Sequence, residues 1–139
     1  MIDLPPAARE VLESAVPATL VTVNPDGSPQ LSVVWVGLDG HDIVTAHLGE
    51  YQKVRNVRRD PRVVVSVLTD RKNPIGMDEY LVVHGTARIS EGGAPEMLQR
   101  LAETYIGPGV PFPPMEHPPN GFVMRITPQR LGGIGPWAE

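Results

Sequence analysis

The stretch "ATLVTVNPDGSPQLSVVWVGL", Ala18 to Leu38, decides the fold. "ATLVTVN" is β-branched and apolar, the composition of a strand. "PDGS" follows, with Pro25 and Gly27 where a tight turn uses them: proline presets φ at about −65°, and glycine tolerates positive φ. "PQLSVVWVGL" resumes as a second strand, so the segment predicts a hairpin. Asp39-Gly40 is a further hairpin signal and leads into a third strand, "HDIVTAHL". "RVVVSVL" predicts a fourth, apolar enough to be buried on both faces. After the polar loop "DRKNPIG" comes a long fifth, "DEYLVVHGTARIS", with Gly85 placed for a bulge or bend. "FVMRIT" predicts a sixth, and "PQRLGGIGPWAE" reads as a Gly-rich tail.

Helices fall between these strands. "PPAAREVLESAV" starts on prolines and places Ala8, Val11, Leu12 and Ala15 on one face. "APEMLQRLAETYI" is amphipathic, with Met97, Leu98, Leu101, Ala102 and Tyr105 sharing a face. A third helix is predicted from about Tyr51 to Arg59, ended by the proline at 61. "GPGVPFPPMEHPPNG" holds six prolines and cannot be regular structure. The chain of 139 residues fits one domain, 1–139, and six meandering strands with short helices predict a closed antiparallel barrel with helical caps.

The composition narrows the function. There are 12 Lys+Arg against 16 Asp+Glu, a net charge of −4, which argues against nucleic acid as the partner. No cysteine is present, so disulfides, thiolate metal sites and thiol nucleophiles are excluded. No apolar run approaches the roughly 20 residues that span a bilayer, and "MIDLPPAARE" lacks the basic-then-apolar run of a signal peptide. The expectation is a soluble, cytoplasmic protein. His41, His47, His84 and His117 show no metal-ligand spacing, and no metal site is expected. No nucleophile elbow, phosphate loop or dinucleotide motif occurs, and no catalytic side chain is assigned.

Positive charge gathers in "YQKVRNVRRDPRV", Tyr51 to Val63, where Lys53, Arg55, Arg58, Arg59 and Arg62 face only Asp60. Cations are favoured at a helix C-terminus by about 0.3–1 kcal/mol each, which accounts for Arg58 and Arg59. Lys53 and Arg55 lie in the first turns, where an anion would use the free backbone N–H groups, the dipole and both cations.

"TLVTVNPDGSPQLSVVWVG", "KVRNVRRDPRVVVSV", "HGTARI" and "FVMRITPQRL" together resemble the flavin and deazaflavin oxidoreductases of the pyridoxamine 5'-phosphate oxidase-like split-barrel superfamily. The closest likeness is to the group that uses coenzyme F420. The resemblance spans nearly the whole chain. It implies a mainly β fold, a six-stranded antiparallel split β-barrel, and a homodimer with two non-covalent cofactor sites at its interface. It implies ring contacts from Gln30, Ser32, Val33 and Val34, with Ala46 and His47 along the ring and ribityl chain. Lys53 matches the family's phosphate- or ring-contacting lysine, and Asn56 its helix asparagine. Arg55, Tyr80 and Trp137 are further cofactor candidates, and an apolar substrate pocket is read from Trp35, Phe112, Met115 and Trp137. Some relatives carry a basic residue where this chain has Tyr51. The last strand reads Arg125-Ile126-Thr127 where true pyridoxamine phosphate oxidases carry Arg-x-His, which points away from vitamin B6 oxidation. The activity implied is hydride transfer from reduced F420 to a small organic electrophile. The alternatives are an FMN-binding oxidoreductase of the same fold and a non-enzymatic flavin, deazaflavin or haem binding protein.

Overall fold

A computed structural model describes residues 2–137. In chain order the elements are α1 (Pro6–Leu12), β1 (Ala18–Val23), β2 (Pro29–Val34), β3 (Gly37–Asp39), β4 (Asp42–His47), α2 (Gln52–Arg59), β5 (Arg62–Lys72), β6 (Asp78–Glu91), α3 (Ala94–Tyr105) and β7 (Phe122–Ile134). The seven strands form one antiparallel sheet in the order β2-β1-β5-β6-β7-β4-β3. The predicted six strands become seven because the second breaks at Trp35–Val36, after which the chain pairs with β4 instead of β1.

That break sets the shape of the sheet. β2 and β3 lie at opposite ends of the strand order, yet only Trp35 and Val36 separate them. Three Cα–Cα steps reach about 11 Å, whereas seven strands laid flat would hold their edges ~29 Å apart. The sheet therefore curls until its two ends meet at this link. Among the described residues no ladder joins β2 to β3, so the hydrogen bonding stays open.

Turn chemistry fixes the hairpins. In Asn24–Ser28 the Asn24 N–H donates to Ser28 O (2.8 Å), the Gly27 N–H to Asn24 O (2.9 Å), and Gly27 takes φ 87°. Asn73–Met77 repeats this, with bonds of 2.8 and 2.9 Å and Gly76 also at φ 87°. The predicted polar loop is thus a tight turn, and β5 runs on to Lys72. At His84–Gly85 the β6–β7 register slips: Arg130 opposes His84 and Pro128 opposes Gly85, leaving Gln129 as the extra residue. A Cβ on Gly85 would sit 2.5 Å from Thr127 O, so only glycine fits. Pro128, which has no N–H to donate, is tolerated at this bulge. β7 therefore continues to Ile134 rather than stopping at Thr127.

The core fills the inside of the curl. Leu4, Ala8, Val11 and Leu12 from the N-terminal segment meet Leu20, Val65, Val67, Leu81, Val83, Met124 and Ile126. β5 alternates: Val63, Val65 and Val67 are buried, while Val64 and Ser66 are partly exposed and Leu68 is 60% exposed. The expectation of burial on both faces fails because, among the described residues, no element covers the outer face. Cross-strand register aligns Leu31, Val21, Val64 and His84 there in one row, and Val33, Thr19, Ser66 and Val82 in the next.

Candidate functional site

A pocket of about 310 Å³ opens where the two ends of the sheet come together. Val33 and Val34 reach it from β2, Trp35 from the link, Ala46 and His47 from the end of β4, and Lys53 from α2. Pro17, Leu98 and Phe112 complete the lining. A larger trough of about 420 Å³ lies at the Gly85 bulge, lined in part by Val21, Val64, His84, Arg62 and Arg130. It holds none of the expected site residues, and Arg62 is already paired with Asp60 at 2.7 Å.

Lys53 is the distinctive charge of the smaller pocket. Among the described residues its Nζ has no carboxylate within 4.0 Å. It donates to Ser32 Oγ at 3.3 Å and lies 5.4 Å from the centre of the Tyr51 ring. Burial lowers its pKa, as it does for any cation drawn partly out of water. Tyr51 caps α2 without a side-chain hydrogen bond, and the amides of Gln52 and Lys53 have no acceptor among the described residues. Two free N–H groups, a helix N-terminus and an unpaired lysine make an anion-accepting corner.

His47 is 5% exposed, and its Nε2 is 2.8 Å from the buried Thr45 Oγ1. Burial first, and the Lys53 charge second, push its pKa down to about 4. It is neutral at pH 7, so one ring nitrogen holds a proton and the other is free to accept.

Asn56 does not line the pocket; it is fully buried beneath it. Its Nδ2 donates to Thr22 Oγ1 (3.0 Å) and Asn24 Oδ1 (2.9 Å), and its Oδ1 accepts from Gln52 Nε2 (2.7 Å). Thr22 Oγ1 in turn donates to Gln30 Oε1 at 2.9 Å. These bonds fasten α2 to the β1–β2 hairpin, and that fixes the reach from Lys53 to Ser32. Asn56 and Gln30 are positioning residues in this geometry.

The other expected residues lie elsewhere. Arg55 bonds Glu50 O (2.5 Å) and Gln52 Oε1 (2.7 Å) on the exposed side of the helix. Arg58 is paired with Glu50 and Glu91, both at 3.3 Å, and covers the Phe122 ring. Arg59 donates to Val23 O. Tyr80 stands on β6 opposite Leu68, 37% exposed and off the pocket wall. Trp137 is 7% exposed within the core cluster, and Met115 is 49% exposed outside the lining. Of the apolar pocket read from sequence, Trp35 and Phe112 are brought together and Met115 and Trp137 are not. Leu98 and Pro17 were missed; Leu98 had been placed on the amphipathic face of α3 but not at the site. Among the described residues no three His, Cys, Asp or Glu side chains converge as a metal site would require.

The sequence profile of the pyridoxamine 5'-phosphate oxidase family matches residues 4–134. No curated protein matches the chain. Among solved structures, an F420 reductase is 27% identical, with a TM-score of 0.72 over 93% of this chain and 98% of its own. A conserved hypothetical protein of Mycobacterium tuberculosis is 25% identical, with a TM-score of 0.70 over 95% and 85%. HutZ, the haem storage protein of Vibrio cholerae, shares the fold at 17% identity, with a TM-score of 0.64 over 95% of each chain.

Two predictions follow from this geometry. Asn56→Ala leaves Thr22 and Asn24 without their buried partner and should cost about 1–3 kcal/mol in urea unfolding; an unchanged midpoint would show that the network does not fasten the helix. For His47 the unfolded state binds more protons than the folded state between pH 6.5 and about 4. Its stabilisation is complete above 6.5 and is lost as pH falls to about 4, roughly 3 kcal/mol in all. His47→Gln should flatten that part of the stability profile, and a parallel profile would refute the assignment.

Proposed function

This chain belongs to the pyridoxamine 5'-phosphate oxidase family, and from that premise we propose that it is a cytoplasmic oxidoreductase that binds coenzyme F420. In this reading it transfers a hydride from the reduced cofactor to a small organic electrophile. The observation that carries the reading is Lys53, a half-buried cation on the pocket wall with no carboxylate partner among the described residues. The F420 reductase among the similar structures is what favours the deazaflavin.

The residues present fit such a group. Lys53 and the amides of Gln52 and Lys53 would take a phosphate. β2 is an edge strand, so one row of its backbone groups remains free to meet a ring. Val33, Val34, Trp35, Leu98 and Phe112 line the pocket with apolar surface. When bound, the reduced deazaflavin supplies the hydride; the protein binds, orients and desolvates. His47, neutral and held by Thr45, offers a hydrogen bond at the pocket floor rather than a strong acid.

FMN is the second reading, and one observation favours it. Arg55 and Arg58 are engaged by neighbours, which leaves Lys53 as the cation on the pocket wall. One cation suits one phosphate better than a polyanionic tail. Titration of the protein with F420, FMN and haemin separates the readings. Saturable F420 binding without FMN binding supports the first, and FMN retained through purification overturns it. Tight haemin binding with neither flavin points to a carrier. Lys53→Ala should weaken the bound cofactor by about 1–3 kcal/mol, and unchanged affinity would remove the lysine from the site.

The reading includes a split-barrel homodimer. The uncovered outer face supports it, since Leu31 (62% exposed) and Val33 (66%) stand in the register rows of Val21, Val64 and Val82, and Leu68 (60%) stands in the next. Apolar patches on that scale mark interaction surfaces. Sedimentation equilibrium should give twice the 15.1 kDa chain mass, and Leu31→Glu should return it to the monomer value. A monomeric wild type would overturn the dimer.

A further inference from the structure

Between Pro108 and Pro114 the sequence "PGVPFPP" leaves only three backbone N–H donors, at Gly109, Val110 and Phe112. Two of the three are captured by side chains of α3. Gln99 Oε1 accepts the Phe112 N–H at 2.8 Å, and its Nε2 donates to Val110 O at 2.8 Å. One helical turn on, Glu103 Oε2 accepts the Gly109 N–H at 3.1 Å, and its Oε1 accepts from Gln99 Nε2 at 3.3 Å. A single side-chain amide thus meets the C=O of one residue and the N–H of the residue two further on. The prolines stiffen the strap and remove the other places where a clasp might form.

The clasp places Phe112. Its ring centre is 5.0 Å from that of Trp35, tilted by 50°, and Trp35 stacks on Tyr105 at 5.3 Å and 10°. The Tyr105 hydroxyl is itself fixed, accepting from Val36 N and donating to Val16 O, both at 3.1 Å. Trp35, Leu98 and Phe112 give the pocket an uncharged, partly aromatic wall.

We propose that Gln99 is a positioning residue that holds this proline strap against α3, and that Phe112 is the specificity-determining residue of the pocket, restricting it to small, flat, conjugated substrates. The substrate class rests on the reading of the pocket as the site of hydride transfer; the clasp does not.

Acrylamide quenching of Trp35 fluorescence tests the clasp without any cofactor, with Trp35→Phe as the baseline for Trp137. Gln99→Ala should raise the quenching constant about two-fold. Gln99→Glu is the sharper variant. Its carboxylate still accepts from Phe112 N–H but faces two acceptors, Val110 O and Glu103, whereas its protonated form can donate to Val110 O. Quenching at pH 8 should be raised in Gln99→Glu as it is in Gln99→Ala. Unchanged quenching in either variant would overturn the clasp. Acetophenone and 2-acetonaphthone, a one-ring and a two-ring flat ketone, then probe the width by quenching of Trp35, so no turnover is needed. Phe112→Ala and Gln99→Ala should each shift the affinity ratio about ten-fold toward the larger ketone. An unchanged ratio would overturn the role of Phe112. Absence of F420 binding alongside a shifted ratio would sink the cofactor reading and leave the strap standing.

Discussion

The constraint on which the structure depends is covalent: two residues join the first and last strands of a seven-stranded sheet. Trp35 and Val36 hold the end of β2 within about 11 Å of the start of β3, strands that a flat sheet would keep far apart. The curl that results encloses a core in which half of the side chains are Val or Ile, which pack well on a pleated surface. It also creates a seam. Val33 and Val34 from one end of the sheet and Ala46 and His47 from the other meet there, residues that no ladder brings together. The pocket is therefore a by-product of strand ends brought near one another without pairing. Its walls come from strand ends, where backbone groups are already free.

A buried asparagine turns the seam into a defined site. With Asn56 bonded to Thr22, Asn24 and Gln52, α2 has one seating on the hairpin. From that seating Lys53 reaches Ser32, while Arg55, Arg58 and Arg59 point to solvent, to glutamates or to a strand carbonyl. A helix with four cations therefore delivers one to the pocket. Polar groups this deep are costly unless fully bonded, and here both the amide donor and the amide acceptor of Asn56 are satisfied.

Much of this was legible in the sequence, and the parts that were not have physical reasons. The hairpin, both longer helices and the bend at Gly85 follow from turn residues and periodicity. The sequence ends the last strand before Pro128, because a proline reads as a strand end unless a bulge absorbs its missing donor. The Asn73–Met77 turn was hidden as a polar loop although it repeats the N-P-x-G spacing of Asn24–Gly27. At the site, Val33, Val34, Ala46, His47 and Lys53 line one pocket. Arg55 and Trp137 do not line the pocket, because a sequence shows which charges and rings are near in number but not which partners will claim them. Glu50 and Gln52 take the arginine, and the core takes the tryptophan.

One lysine facing inward on a chain of net charge −4 has a kinetic consequence. At long range an approaching anion meets a repulsive field, and the favourable contact acts only once the anion has entered the pocket, where the half-buried charge is poorly screened. For an anionic ligand, encounter would be slowed by the net charge rather than steered, and added salt would speed it by weakening the repulsion while leaving the inner contact nearly intact. Discrimination between anions then lies in how long each one stays, which is a property of the pocket's walls and not of its approach.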